Sequence, residues 1–358
     1  MVLDTTASPQ ILEPAGSNSV MLSSIWLPSE LRDAKRRALV YFVCGNPGLV
    51  GFYADFLDGL RGMLNASEAR TAYDVYGRNL LGFSDAEHES LGEGRAGPWD
   101  LDAQIETIFD DVASRAELRG CGSDYGSSSG SSSGSGYDFV VLAGHSVGAY
   151  IAVDIFHRHA RQPDRAPRLV LRHGLLLFPT IASIDASPSG RRLQLLRRLP
   201  TFDAHGHTYA WLALLPWPRA ALCWIMGRAM GFSPRTADIT AEWLKSRYGV
   251  LQALHLGKSE LDGIREDAWG EELWEASTEA GDAATPKFFL FYGKEDHWLA
   301  SHVRDEFIRR REERGGRTSI AVDEGDIPHA FCTSEHNSWL VAKRMHGWIE
   351  EIERGGEA

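Results

Sequence analysis

Cysteine is scarce: Cys44, Cys121, Cys223 and Cys332 are the only four in 358 residues. They lack the spacing of a zinc site or a redox pair, so a metal-clasped or disulfide-stapled fold is not expected, and the thiols suit a reducing compartment. Positive charge is also short, with 37 Lys and Arg against 49 Asp and Glu and a formal charge of −12. No basic block or aromatic-basic stripe offsets that balance, which argues against nucleic acid as a partner; the one small cluster, Arg191-Arg192 with Arg197-Arg198, is enough only to touch an anionic surface. No apolar run reaches the roughly 20 residues of a spanning helix. The polar start, with Pro9 and Pro14, fits neither a signal sequence nor a transit peptide, and residues 1–18 are expected to be a disordered lead-in.

What is present is an alternation of apolar runs and helical patterns. Val20 to Leu27 reads as an early, partly exposed strand, Ala38 to Cys44 as a buried strand, Tyr53 to Met63 as a helix and Tyr73 to Tyr76 as a short strand. Gly82 to Gly97 is polar and reads as loop. Leu101, Ile105, Ile108 and Val112 then recur at helical spacing. Strand, helix, strand, helix predicts an α/β fold with a mainly parallel sheet and helices on both faces. Gly122 to Gly136 is nearly all glycine and serine and reads as a flexible insertion, with neither the fixed offsets nor the basic residue of a phosphate loop. After another buried strand, Leu169 to Phe178, no strand pattern returns until Phe288 to Tyr292. The intervening helical, tryptophan-rich stretch predicts an insertion over residues 183–284, with residues 19–182 and 285–354 forming the core. A helix over Ser301 to Arg314, a strand over Thr318 to Val322 and a helix over Glu335 to Ile352 complete the pattern.

The chemistry centres on Gly144-His145-Ser146-Val147-Gly148, a G-x-S-x-G set between an apolar run and a helical pattern. Such a nucleophile elbow ends a buried strand in a strained turn, holds a serine hydroxyl at the carboxyl edge of the sheet, and needs glycine on both sides because the departing helix passes so close. A serine hydroxyl requires a base to take its proton and an acid to orient that base, and this fold supplies them in the order serine, acid, histidine. The acid is expected directly after the buried strand Phe288 to Tyr292, where Glu295 and Asp296 compete; adjacent side chains there point to opposite sides. His329, between the last strand and the last helix, holds the position of the base, whereas His145, His297 and His336 read as surface or satisfied core residues. Acyl transfer also needs donors for an oxyanion. The N–H of Val147 is one candidate and that of Asn46 the other, since Pro47 has none.

Four motifs carry a resemblance. Cys44-Gly45-Asn46-Pro47-Gly48 followed by Phe52-Tyr53, Gly144 to Tyr150, Phe178-Pro179-Thr180 with Ser187-Pro188-Ser189-Gly190, and Tyr292 to Trp298 together resemble the lipid droplet-associated hydrolases, with Cys44 standing where that family's proline is expected. The resemblance implies an α/β-hydrolase fold with a helical cap, and a serine esterase of lipid droplets and the endoplasmic reticulum, acting on sterol esters or acylglycerols without metal or organic cofactor. The family's Gly-x-x-Asp spacing, Gly293 to Asp296, selects Asp296 as the acid. Within the cap, Tyr209 to Leu215 and Ala220 to Met226 are apolar runs around Pro216-Trp217-Pro218-Arg219. They suit either a hairpin dipping into one leaflet, with Trp211, Leu215, Trp217 and Trp224 as its surface contacts, or a pair of buried helices over an ordinary pocket. Two rival functions stay open: a soluble short-chain esterase or thioesterase, and a weakly active lipid-droplet surface protein acting by binding.

Overall fold

The computed structural model describes residues 22–67, 70–89, 97–117, 136–265, 269–270, 273–274, 287–314 and 318–355. The lead-in and, apart from Gly136, the Gly/Ser stretch therefore lie outside the described residues. In chain order the first half runs β1 (Ser24–Leu27), β2 (Arg36–Val43), α1 (Ala54–Ala66), β3 (Thr71–Arg78), α2 (Asp85–Glu89), α3 (Leu101–Glu117), β4 (Phe139–His145), α4 (Val147–Arg161) and β5 (Leu171–Leu177). Five helices follow: α5 (Pro188–Arg197), α6 (Pro200–Leu214), α7 (Arg219–Arg228), α8 (Pro234–Lys245) and α9 (Gly249–Gly263). The chain then returns to β6 (Lys287–Tyr292), α10 (Ser301–Arg314), β7 (Ser319–Val322) and α11 (Glu335–Arg354).

The described strands form one seven-stranded sheet in the order β1-β3-β2-β4-β5-β6-β7. Only β1 runs antiparallel, on β3, so the sheet is mainly parallel as expected; β1 is shorter than Val20 to Leu27. The central strand β4 is buried at every residue, so its first six positions, before His145, read as a continuous apolar run rather than an alternating one. Helices cover both faces. Tyr41 donates from its hydroxyl to Asp111 of α3, whereas Phe42 packs its ring on Phe56 of α1. At the other end Phe288 meets Phe156 of α4 and Phe289 meets Trp348 of α11. Neighbouring residues of a strand face opposite ways, so α1 and α11 lie on one side and α3 and α4 on the other.

The insertion between β5 and β6 is helical, but its parts behave differently. Helix α8 is capped by Ser233, whose hydroxyl also reaches Asp55 of α1, and Arg235 pairs with Asp55 and Asp58. Helix α9 is tied to the loop before α3 through Gln252, which both donates to and accepts from the backbone of Trp99. Beyond α9, Trp269 donates to Asp154 of α4 and Trp274 packs on Phe288 and Phe307, so these two tryptophans belong to the side of the sheet rather than to a roof over its edge. Within the polar stretch Gly82 to Gly97, read as loop throughout, Asp85–Glu89 forms the short α2 because Glu87 accepts from the N–H groups of Gly82 and Ser84.

Candidate active site

Ser146 follows the last residue of β4 and precedes the first of α4, with φ 55° and ψ −125°, a conformation that costs free energy for a residue with a side chain. Its N–H donates to Leu177 O at 3.0 Å and its carbonyl accepts from Ala149 N–H at 2.9 Å, so the ends of β5 and α4 hold the turn in place. The flanking glycines are dictated by proximity. A Cβ on Gly144 would lie 2.2 Å from Gly148 O, and one on Gly148 would lie 2.3 Å from Val43 O. Both contacts are with backbone, which cannot yield without moving the strand or the helix.

Three side chains named from the sequence meet here. Ser146 Oγ lies 2.9 Å from His329 Nε2, and His329 Nδ1 lies 2.6 Å from Asp296 Oδ2. A carboxylate only accepts, so Nδ1 carries the proton and Nε2 is left to accept from the serine hydroxyl. The remaining oxygen of Asp296 accepts from Trp298 N–H at 2.8 Å. Burial works to raise this carboxyl, but His329 and Trp298 outweigh it and hold it below the ordinary carboxylate range. Glu295 is exposed, as the opposite-sides argument requires. Ser187-Pro188-Ser189-Gly190 anchors this loop to the cap: Ser189 N–H donates to His297 O, and Ser187 caps α5 by accepting from Gly190 N–H.

His145 is a satisfied core residue, and its partners explain the rigidity of the site. Its Nε2–H donates to His329 O at 2.9 Å, which leaves Nδ1 to accept from Tyr53 Oη–H at 2.8 Å; Tyr53 Oη in turn accepts from Gly45 N–H at 2.9 Å. One chain of hydrogen bonds thus joins the turn after β2, the elbow and the histidine loop. Burial, with the nearby His329, lowers the His145 imidazole to about 3, so it stays neutral.

Of the two expected oxyanion donors, neither the Asn46 nor the Val147 N–H has a protein acceptor among the described residues. The Asn46 side chain is committed elsewhere: its Nδ2 donates to Ala253 O at 3.0 Å and to Glu260 Oε1 at 2.9 Å, both on α9. Above Ser146 lies a cavity of about 400 Å³, lined among others by Phe52, Met226, Trp243, Leu261, Trp298 and Glu260. Burial pushes the Glu260 carboxyl up to about 7, against the hydrogen bond from Asn46. Sequence reasoning missed Glu260. The available signal was the i, i+4, i+8 stripe Gln252, Leu256, Glu260, where two polar residues occupy the buried face of α9.

The outer edge of the cap is apolar. Trp211, Trp217 and Trp224 are 51%, 47% and 65% exposed, and Leu212 and Leu215 are exposed beside them, whereas Leu222 points inward. Helix α7 carries Trp224 outside and Met226 in the cavity wall. No helix among the described residues is long and apolar enough to cross a membrane.

A family model described as lipid-droplet associated hydrolase matches residues 36–332. The chain belongs to that family. The lipid droplet-associated hydrolase of Rattus norvegicus is 25% identical over 325 residues, covering 88% of this chain and 86% of its own length. That of Homo sapiens is 23% identical over 306 residues, covering 83% and 80%. Among solved structures, the peroxisomal α/β-hydrolase Lpx1 of Saccharomyces cerevisiae aligns with a TM-score of 0.55 at 13% identity, over 92% of this chain and 81% of that one. The haloalkane dehalogenase DbeA from Bradyrhizobium elkani aligns with a TM-score of 0.50 at 14% identity, over 94% and 97%. The likeness to these two shows the α/β-hydrolase fold, as the elbow implied. In this family member the helices between β5 and β6 form an inserted, cap-like region.

Proposed function

We propose that the protein is a serine esterase that cleaves carboxylic esters of neutral lipids at the surface of a lipid droplet or of the endoplasmic reticulum. The observation that carries this is the unbroken Ser146, His329 and Asp296 chain, at 2.9 and 2.6 Å, on the floor of a largely apolar cavity. In the proposed cycle Ser146 Oγ attacks the ester carbonyl while His329 Nε2 takes its proton. The carbonyl oxygen gains the negative charge, and the N–H groups of Asn46 and Val147 receive it. The tetrahedral intermediate collapses by breaking its bond to the alcohol oxygen, which leaves with the proton from His329. Water, deprotonated by the same nitrogen, then releases the acid and restores the serine. Asp296 holds the imidazole in the tautomer this requires and stabilises its charged form.

The location is supported by the exposed tryptophans and leucines of α6 and α7, which favour an interfacial hairpin over a pair of buried helices closing an ordinary pocket. It is also supported by the names of the relatives. The test is fluorophosphonate labelling of the purified protein followed by an ester panel of graded chain length. Labelling confined to Ser146, with long-chain esters preferred in emulsion, is the expected result; labelling elsewhere, or preference for soluble short-chain esters, overturns it.

A further inference from the structure

The cavity over Ser146 is walled mainly by apolar side chains, including Met226, Phe232, Trp243, Leu244 and Leu261, but Glu260 and Asn46 interrupt that wall. Glu260 is only 8% exposed. Its Oε1 accepts from Asn46 Nδ2, and among the described residues no donor meets Oε2. The orientation of the Asn46 amide is fixed, because Ala253 O can only accept and must face the Nδ2 hydrogens. Asn46 Oδ1 is therefore the remaining atom, and it is buried without a donor. Two oxygens of cavity-lining residues are thus left unanswered beside the turn that offers an N–H to the ester carbonyl. Asn46 Oδ1 is fully buried, where an oxygen is costly unless something pairs with it; Glu260 Oε2 is not fully buried, and on a residue that lines the cavity it is the acceptor a bound molecule can reach.

We propose that Glu260, positioned by Asn46, determines specificity by pairing with a free hydroxyl of the substrate, so that the preferred ester is a partly esterified polyol lipid with the chemistry of a monoacylglycerol. This rests on Ser146 being the nucleophile of a lipid esterase. A steryl ester or a fully esterified glyceride has carbonyl and ether oxygens but no O–H or N–H, so it leaves an ionised Glu260, which only accepts, without a donor, and can be met only by the protonated carboxyl. A monoacylglycerol has two hydroxyls within a few bonds of its carbonyl. A site built to hydrogen-bond a substrate hydroxyl rejects the analogue lacking it far more strongly than an apolar wall discriminates one methylene. The buried carboxyl serves in either protonation state, since a hydroxyl both donates and accepts.

Binding of non-hydrolysable analogues to the full-length protein tests this. A dodecyl glyceryl ether and its O-methylated counterpart, which has no hydroxyl, are titrated while tryptophan fluorescence is followed, since Trp243 and Trp298 line the cavity. The wild-type protein is expected to prefer the diol by roughly 10-fold or more, in line with one hydrogen bond to a charged or half-charged group. The preference should fall to about parity in Glu260→Met and be partly retained in Glu260→Gln, whose amide still pairs with a hydroxyl. Equal binding of the two ethers by the wild-type protein overturns the proposal whether or not the variants fold, and so does an undiminished preference in Glu260→Met. Fluorophosphonate labelling of the same samples separates the causes: Ser146 labelled with equal ether binding removes only the role of Glu260, whereas no labelling removes the esterase and the substrate assignment with it.

Discussion

The floor of the cavity and the outer edge of its roof are built on opposite terms. Under Ser146, side chains and backbone are locked by short, buried hydrogen bonds: Gly45 to Tyr53, Tyr53 to His145, His145 to His329. Phe178 makes edge-to-face contacts with both histidines and Phe331 with His145. At the roof's edge, α6 and α7 turn tryptophan and leucine toward solvent while α7 packs Leu222 inward against α8, and Arg219 and Lys245 add an ion pair to α8 and hydrogen bonds to the last carbonyls of α6. The difference separates two tasks. A proton relay needs atoms held to fractions of an ångström, whereas attachment to a fluid surface needs only apolar area on the outside.

The largest expected effects lie on the floor. Ser146→Ala should abolish fluorophosphonate labelling and lower kcat by about 10⁶-fold, and Asp296→Asn should lower it by about 10⁴-fold with little change in substrate binding. Glu295→Gln, on the exposed side of the same loop, should change kcat by less than about threefold. Equal losses at Glu295 and Asp296 would show that the loop, rather than the carboxyl facing His329, matters.

Next comes the roof. A large apolar side chain gives about 1.5–3 kcal/mol on full burial, and half-exposed tryptophans therefore have about 1 kcal/mol each left to offer to a lipid surface. Replacing Trp211, Trp217 and Trp224 by serine should weaken binding to phospholipid-coated triglyceride emulsions roughly 100-fold. Melting temperature and turnover of a soluble short-chain ester should hardly change. If the triple variant stays on the emulsion and melts much earlier, those rings are structural and the contrast between roof and floor collapses.

The same contrast governs what could be read before the structure. Strands β2, β4, β5 and β6 were legible because parallel strands buried on both faces read as unbroken apolar runs, and the elbow was legible because backbone contacts at Gly144 and Gly148 admit no other residue. His329 followed from its place after β7, whereas the place after β6 left Glu295 and Asp296 in competition and only the Gly-x-x-Asp spacing of the resembled family chose between them. Within the cap only the apolar runs Tyr209 to Leu215 and Ala220 to Met226 were legible as segments; the bounds of α6 and α7 were not, since both helices carry little periodicity. Nor was the pairing of Asn46 with Glu260, whose partners stand 214 residues apart and meet only because α9 packs over the turn after β2. Composition cannot report such a contact.

Acid titration sharpens the comparison with a smaller effect, because floor and roof contribute opposite signs. His145, held at about 3 against an ordinary 6.5, stays neutral in the folded protein while the unfolded chain takes up a proton; its contribution to stability therefore falls as pH drops from 6.5 toward 3. Glu260, raised to about 7 against an ordinary 4.5, keeps its proton longer in the folded protein, so its contribution is present below 4.5 and lost as pH rises through 7. Each contributes at most about 1.4 kcal/mol per pH unit within its window. In Tm measured from pH 4.5 to 6.5, Glu260→Gln should steepen the loss toward acid and His145→Asn should reduce or reverse it. Parallel profiles for all three proteins would mean that neither group is perturbed as its surroundings imply.

The smallest effect is expected away from both regions, at the Gly/Ser stretch. The described residues on either side of it already touch: Tyr137 N–H donates to Ala116 O at 3.0 Å, and the Tyr137 hydroxyl is anchored on Asp74 at 2.7 Å. A Cβ on Gly136 would lie 2.4 Å from Ala116 O, so the chain re-enters the fold directly against the end of α3. Because the two ends are joined at the base, shortening what lies between them pulls on nothing, and only the closure entropy changes. That term varies as the logarithm of length, and deleting Ser127 to Ser135 from the link between α3 and β4 alters it by about 0.5 kcal/mol in the stabilising direction. The deletion should therefore leave activity unchanged and raise Tm by no more than a degree or two, as measured by calorimetry beside the parent. A drop of several degrees would mean that the stretch packs on the folded protein and that its ends are held by more than the Tyr137 to Ala116 bond.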